Sequence, residues 1–106
     1  MPDNAHGVLQ DIHWSSGYIG YFPTYSLGNI ISCQIWDKAI AAMPDLYAQF
    51  EQGEFKALRE WLRENLHRHG RKFTPTEMLQ RLVGGPIDVR PYVHYLKTKL
   101  SDIYQL

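Results

Sequence analysis

Beyond Pro23 the apolar positions of this chain recur at spacings of three and four. Leu27, Ile30, Ile31, Ile35 and Ala39 follow one another in this way, with Gln34 and Lys38 set among them. That period predicts a long helix, with Pro23 tolerated in its first turn because its missing N–H has no intrahelical partner there. Pro44 disfavours helical backbone in the residue before it and should stop this helix near Met43. Pro44-Asp45-Leu46 opens a short helix running to about Gln52, with Gly53 closing it. Phe55, Leu58, Trp61, Leu62, Asn65 and Leu66 mark an amphipathic stripe on a helix of roughly four turns. Arg and His crowd its last turn and Gly70 follows as a C′ residue. Thr74-Pro75-Thr76-Glu77 reads as a capping box opening a further helix that Gly84-Gly85 closes. Asp88 caps a final helix, with Pro91 in its first turn and Tyr92, Val93, Leu96, Leu100, Ile103 and Tyr104 at helical spacing. Residues 1–20 carry Gly7, Gly17 and Gly20 and predict irregular chain with a short turn. No segment alternates with period two, so the expected class is all-α with about five helices.

Composition narrows the classes of partner. With 106 residues, residues 1–106 form a single domain, able to bury roughly two-thirds of the unfolded surface but with little margin. Lys+Arg and Asp+Glu balance at 11 each, which removes the electrostatic case for nucleic acid or an acidic membrane. No apolar run approaches the ~20 residues of a membrane span. The first residues, Met1-Pro2-Asp3-Asn4-Ala5-His6, show neither a basic region nor an apolar core, so no secretory leader is expected. The lone Cys33 excludes an internal disulfide, reads as a small apolar helix residue and fits a reducing cytoplasm.

Candidate chemistry gathers between Gly7 and Tyr25, where an amide, a carboxylate, an imidazole, an indole and three phenols stand close in sequence. His13 or a phenol could donate to an oxyanion developing on a carbonyl, usually the largest catalytic contribution in acyl transfer. Gln10 and Asp11 could orient His13 or bind a substrate's polar backbone, and Trp14 could wall a cleft. The same residues could instead simply pack and satisfy loop backbone. Ser15 and Ser16 lie near His13, but no Gly-x-Ser-x-Gly elbow surrounds them. A zinc protease site needs two helical histidines one turn apart and a third ligand. Of His6, His13, His67, His69 and His94, no pair has that spacing. His67 and His69 would point about 200° apart on a helix. Arg59, Arg63, Arg68, Arg71 and Lys72 are interleaved with Glu60 and Glu64, the pattern of a solvated helix face.

Gly7-x-x-Gln10-Asp11-x-His13-Trp14 resembles the GxxQDxHW motif of the carboxypeptidase Taq family of metallocarboxypeptidases. Gly20-Tyr21-Phe22-Pro23-Thr24-Tyr25 with Leu27-Gly28-Asn29 is similar to that family's continuation. Asp88-x-x-Pro91, Tyr95-Leu96 and Ile103-Tyr104 resemble its C-terminal helix, so the likeness extends over residues 7 to 106. The resemblance implies the C-terminal part of a larger helical, cytoplasmic metallocarboxypeptidase, commonly a homodimer, that removes C-terminal residues from peptides. It implies zinc or cobalt for the full-length enzyme, held by an HExxH helix and a downstream Glu. No HExxH occurs in this chain, so no metal ligand or cofactor is assigned to it. The motif present here is the one that lines the substrate groove beside the metal, so Gln10, Asp11 and Trp14 are expected to bind substrate. Analogy with related helical zinc peptidases makes His13 and Tyr25 the oxyanion donors, with Tyr21 as second choice and Tyr18 a weaker candidate. Peptide substrate would then be handled only together with the missing catalytic region, and the chain alone is expected to be inactive. A second expectation is an all-α interaction module. Surfaces meant for that region would be exposed, favouring self-association or a separately encoded partner.

Overall fold

A computed structural model describes residues 3–7 and 10–106, and its described residues contain helices and no strands. Met1, Pro2 and two of the motif's three variable positions, Val8 and Leu9, lie outside them. Six α-helices follow in order: α1 (Ile12–Ser15), α2 (Pro23–Ala42), α3 (Leu46–Glu51), α4 (Lys56–Asn65), α5 (Pro75–Val83) and α6 (Arg90–Tyr104). The all-α expectation holds. The sixth helix is the single turn α1, inside the stretch expected to be irregular.

Most helix ends fall where the sequence places them. Pro23 is at the first position of α2, and Met43 is its C-cap, its N–H bonding back to Ala39 and Ile40. Both bonds of the Thr74–Glu77 capping box are present. Gly84 closes α5 in the left-handed region at φ 85°, where a Cβ would be strained. Two ends differ. The helix expected through Leu66 stops at Asn65, where the Asn65 amide donates to the Trp61 carbonyl, a local bond of the kind that competes with helix propagation. His67–His69 then form a separate 3-10 turn ended by Gly70 at φ 54°, so these histidines are not on a helix face at all. Asp88 acts one residue earlier than an N-cap should. Val89 holds that position without a side-chain bond, while Asp88 Oδ1 accepts the Arg90 N–H at 2.9 Å.

The packed centre is small and lies where α5 and α6 meet α2. Among the described residues, the buried apolar ones are Ala39 of α2, Leu46 of α3 and Leu79 of α5. Beside them, the buried carboxamide of Gln34 makes two bonds across 52 and 54 residues of sequence. Nε2 donates to the Pro86 carbonyl at 3.0 Å, and Oε1 accepts the Asp88 N–H at 3.0 Å. The link ties α2 to the α5–α6 loop and satisfies both halves of the amide.

The outline is open. The radius of gyration is 17.9 Å, against about 13 Å for a compact chain of this length. The accessible surface of 8456 Å2 exceeds the ~6,100 Å2 expected of a folded monomer of this mass. Amphipathic α4 has no buried residue, and Trp61, Leu62 and Leu66 are only half-covered.

Replacing Gln34 with Ala should strand the Pro86 carbonyl and the Asp88 N–H. The expected loss is about 1–3 kcal/mol, read as a lower urea midpoint of helix circular dichroism. Thr74→Ala should cost about 1 kcal/mol by removing the α5 cap. Bonds from Thr74, the backbone N–H first, hold the Glu77 carboxyl below its ordinary value. The cap therefore contributes fully above the ordinary glutamate range and is lost as pH falls through the lowered value. Thr74→Ala keeps the backbone N–H and removes only the hydroxyl's share, so it should weaken that part of the acid limb without abolishing it.

Candidate functional site

Asp11, His13 and Tyr25 form a hydrogen-bonded line. Asp11 is the N-cap of α1, and its Oδ1 accepts the His13 backbone N–H at 2.8 Å. The same oxygen lies 2.7 Å from His13 Nδ1. Ionised carboxylate oxygens are acceptors only, so Nδ1 carries the hydrogen. The other ring nitrogen, Nε2, lies 2.7 Å from the Tyr25 hydroxyl, and Tyr25 sits in the first turn of α2. One carboxylate thus caps a helical turn and aims an imidazole at a phenol two residues beyond the Pro23 break.

The aromatic side chains wall this line. Tyr21 stacks on the His13 ring at 5.6 Å, and Phe22 lies 4.9 Å from it at a tilt. Tyr18 stands at 6.3 Å edge-on, and Trp14 packs on Phe22 at 5.8 Å. The His13 side chain keeps 19% of its exposure, while Tyr25 is 51% exposed. Tyr25 is therefore the member of the line that faces open space. The bonds from His13, the backbone donor first, hold the Asp11 carboxyl below the ordinary aspartate range.

The sequence-selected residues converge, with one divergence. His13, Tyr25, Tyr21, Asp11 and Trp14 share this cluster, whereas Gln10 turns its amide to the Ala5 carbonyl at 2.7 Å. Asp11 spends one oxygen on orienting His13, the first of the two roles open to it in sequence. Phe22 was missed as a wall, although Tyr18, Tyr21, Phe22 and Tyr25 already stand at helical spacing. Cys33 lies elsewhere, half-buried at a groove of about 560 Å3 shared with Trp36, Tyr47 and Tyr95.

Among the described residues, no three His, Cys, Asp or Glu side chains are grouped to hold a metal ion. The facing atoms of Asp11 and His13 are engaged with each other and with Tyr25. These residues do not fit a metal centre of their own. Among the described residues, no helix is long and apolar enough to cross a membrane.

The all-α scaffold thus presents an aromatic-walled Asp–His–Tyr line with Tyr25 at its exposed end. Residues 1–100 match the family described as carboxypeptidase Taq (M32) metallopeptidase. The thermostable carboxypeptidase 1 of Thermus thermophilus is 39% identical over 102 residues, covering 96% of this chain and 20% of that protein. Carboxypeptidase 1 of Bacillus subtilis is 38% identical over 103 residues, covering 97% and 21%. The M32 carboxypeptidase structure from Deinococcus radiodurans superposes with a TM-score of 0.86 at 40% identity, over 100% of this chain and 22% of that one. The BsuCP crystal structure gives 0.88 at 36% identity, over 96% and 20%. The chain belongs to the carboxypeptidase Taq (M32) metallopeptidase family and spans about one fifth of the length of the curated relatives it matches.

The tether of His13 should respond to acid in a defined direction. Because Asp11 is held low, its two bonds persist above the ordinary aspartate range and fail as pH falls through the lowered value. The His13 amide signal in 1H–15N NMR should titrate with a midpoint below that of an unpaired aspartate, and Asp11→Ala should abolish the step.

Proposed function

We propose that this chain forms part of the substrate-binding wall of a metal-dependent carboxypeptidase and supplies the donor that stabilises the scissile carbonyl's developing negative charge. The observation that carries this reading is the Asp11–His13–Tyr25 line, held by two helix starts and open at the Tyr25 end. A phenol held in this way is a preorganised donor for an oxyanion. Tyr21, Phe22 and Trp14 limit water around it, and Trp14 and Tyr21 offer apolar faces to a peptide. Gln10 and Asp11 support the loop and the imidazole from behind. The metal and the activated water belong to the region outside this chain, and zinc or cobalt is the ion that the family resemblance suggests.

On this reading the chain has no peptidase activity alone. With zinc or cobalt added, the pure chain should release no C-terminal residues from a peptide, and metal-dependent release would overturn the proposal. Mixed with the Bacillus subtilis relative truncated to lack the matching fifth, it should restore release. Tyr25→Phe should then lower kcat by about 10²–10³-fold with a smaller change in KM. Equal kcat for the variant would refute the donor role.

The surface favours a second behaviour, that of a non-catalytic interaction module. About 2,300 Å2 more surface is exposed than a compact monomer of this mass would show, well above the ~800 Å2 per partner of an ordinary stable interface. Ile12, Tyr18, Ile19, Tyr47, Phe55 and Tyr95 are among the exposed apolar side chains. Sedimentation should show self-association, with strong binding of an apolar dye. A clean monomer with low dye binding would count against this behaviour.

A further inference from the structure

The analogy with related helical zinc peptidases makes both His13 and Tyr25 oxyanion donors, yet their polar atoms face each other. In the neutral state, Nδ1–H is committed to Asp11, so Nε2 offers only a lone pair. At 2.7 Å that lone pair takes the Tyr25 O–H. Neither group then has a hydrogen left for a third atom. Turning the phenol hydrogen outward would bring the Nε2 and Tyr25 oxygen lone pairs together at hydrogen-bond distance, which is unfavourable.

A proton on Nε2 reverses the direction of the bond. The imidazolium then donates from both nitrogens, to Asp11 and to the Tyr25 oxygen, and the phenol hydrogen is free to point into open space. The proton comes from solvent, no other bond is made or broken, and the Asp11–His13 pair goes from one negative charge to neutral. The titratable groups around the imidazole are Asp11, Tyr18, Tyr21 and Tyr25. The Asp11 carboxyl, held below its ordinary range, stands at Nδ1, on the side of the ring away from Tyr25.

We propose that Tyr25 is the group that touches the carbonyl oxygen, and that His13 is a positioning residue whose protonation at Nε2 turns the Tyr25 hydroxyl from an inward to an outward donor. This rests on the reading given under Proposed function, but its test needs no activity. It also fixes an order of dependence: Asp11 sets the tautomer of His13, and His13 sets the donor direction of Tyr25.

The test is long-range 1H–15N NMR of His13 and the 13C signal of the Tyr25 ring carbon bearing oxygen, followed through the His13 titration in the intact 106-residue chain. The neutral state should show hydrogen on Nδ1 and none on Nε2, and the Tyr25 carbon should shift in step with His13. Asp11→Ala removes the acceptor of the Nδ1 hydrogen, which should let the neutral hydrogen populate Nε2 and shrink the Tyr25 shift. Tyr25→Phe should leave the wild-type tautomer unchanged. A neutral wild-type His13 with hydrogen on Nε2, or a Tyr25 carbon indifferent to the titration, would overturn the proposal. So would an averaged His13 signal that neither substitution changes. Failure here leaves the carboxypeptidase reading standing with His13 itself as a donor, whereas failed complementation would leave this hydrogen-bond order untouched.

Discussion

The arrangement of this chain depends on one buried carboxamide. Gln34 sits mid-way along α2 and uses both ends of its side chain on the loop between α5 and α6, donating to Pro86 and accepting from Asp88. A core of three buried apolar residues offers little direction of its own. Hydrophobic contact is non-directional, and α6 in particular brings no fully buried residue to α2, so packing alone specifies its seat loosely. The amide removes that freedom, because both of its halves need partners and only one register supplies them. It also places Asp88 where it can accept the Arg90 N–H and start α6. One polar side chain therefore sets the entry of α6 and its seat against α2.

This dependence is what the sequence did not disclose. Gln34 falls at a helical position within an apolar stripe, and its period alone marks it only as facing inward. Its partners are more than fifty residues away and are backbone groups, which leave no trace in residue identity. Helix ends, by contrast, were legible because their causes are local. Pro23, Pro44, the Thr74–Glu77 pair and Gly84 each act within a turn of themselves, through a missing N–H, a steric clash, a capping bond or a left-handed backbone. The end of α4 escaped for a related reason: Asn65 carries an apolar-stripe spacing, and its side-chain bond to Trp61 competes with the helix it appears to extend.

The site divides in the same way. Its members are named by the motif and, for Tyr25, by the analogy with related helical zinc peptidases; that they meet is local, because Asp11, His13 and Tyr25 lie within fifteen residues and the chain turns once between them. Glycines at 17 and 20 with positive φ let the chain reverse between α1 and α2, bringing His13 onto the first turn of α2. Membership did not reveal direction. Gln10 looks equivalent to Asp11 in sequence, but its amide closes its own loop on Ala5.

Direction is decided by counting hydrogens. A carboxylate can only accept, an imidazole carries one or two hydrogens, and a phenol carries one. Placed in a line, these three groups cannot all serve a fourth atom at once, so two donors named from sequence reduce to one outward donor at a time. That limit is independent of any family likeness and of the groups that complete the cleft. In the proposed role, the open end of the line, Tyr25, is the contact point for a substrate oxygen. The Asp11–His13 and His13–Tyr25 bonds set its direction in that role, and Gln34 plays the corresponding part for the helices: in both places a short polar chain sets direction where packing alone leaves it open.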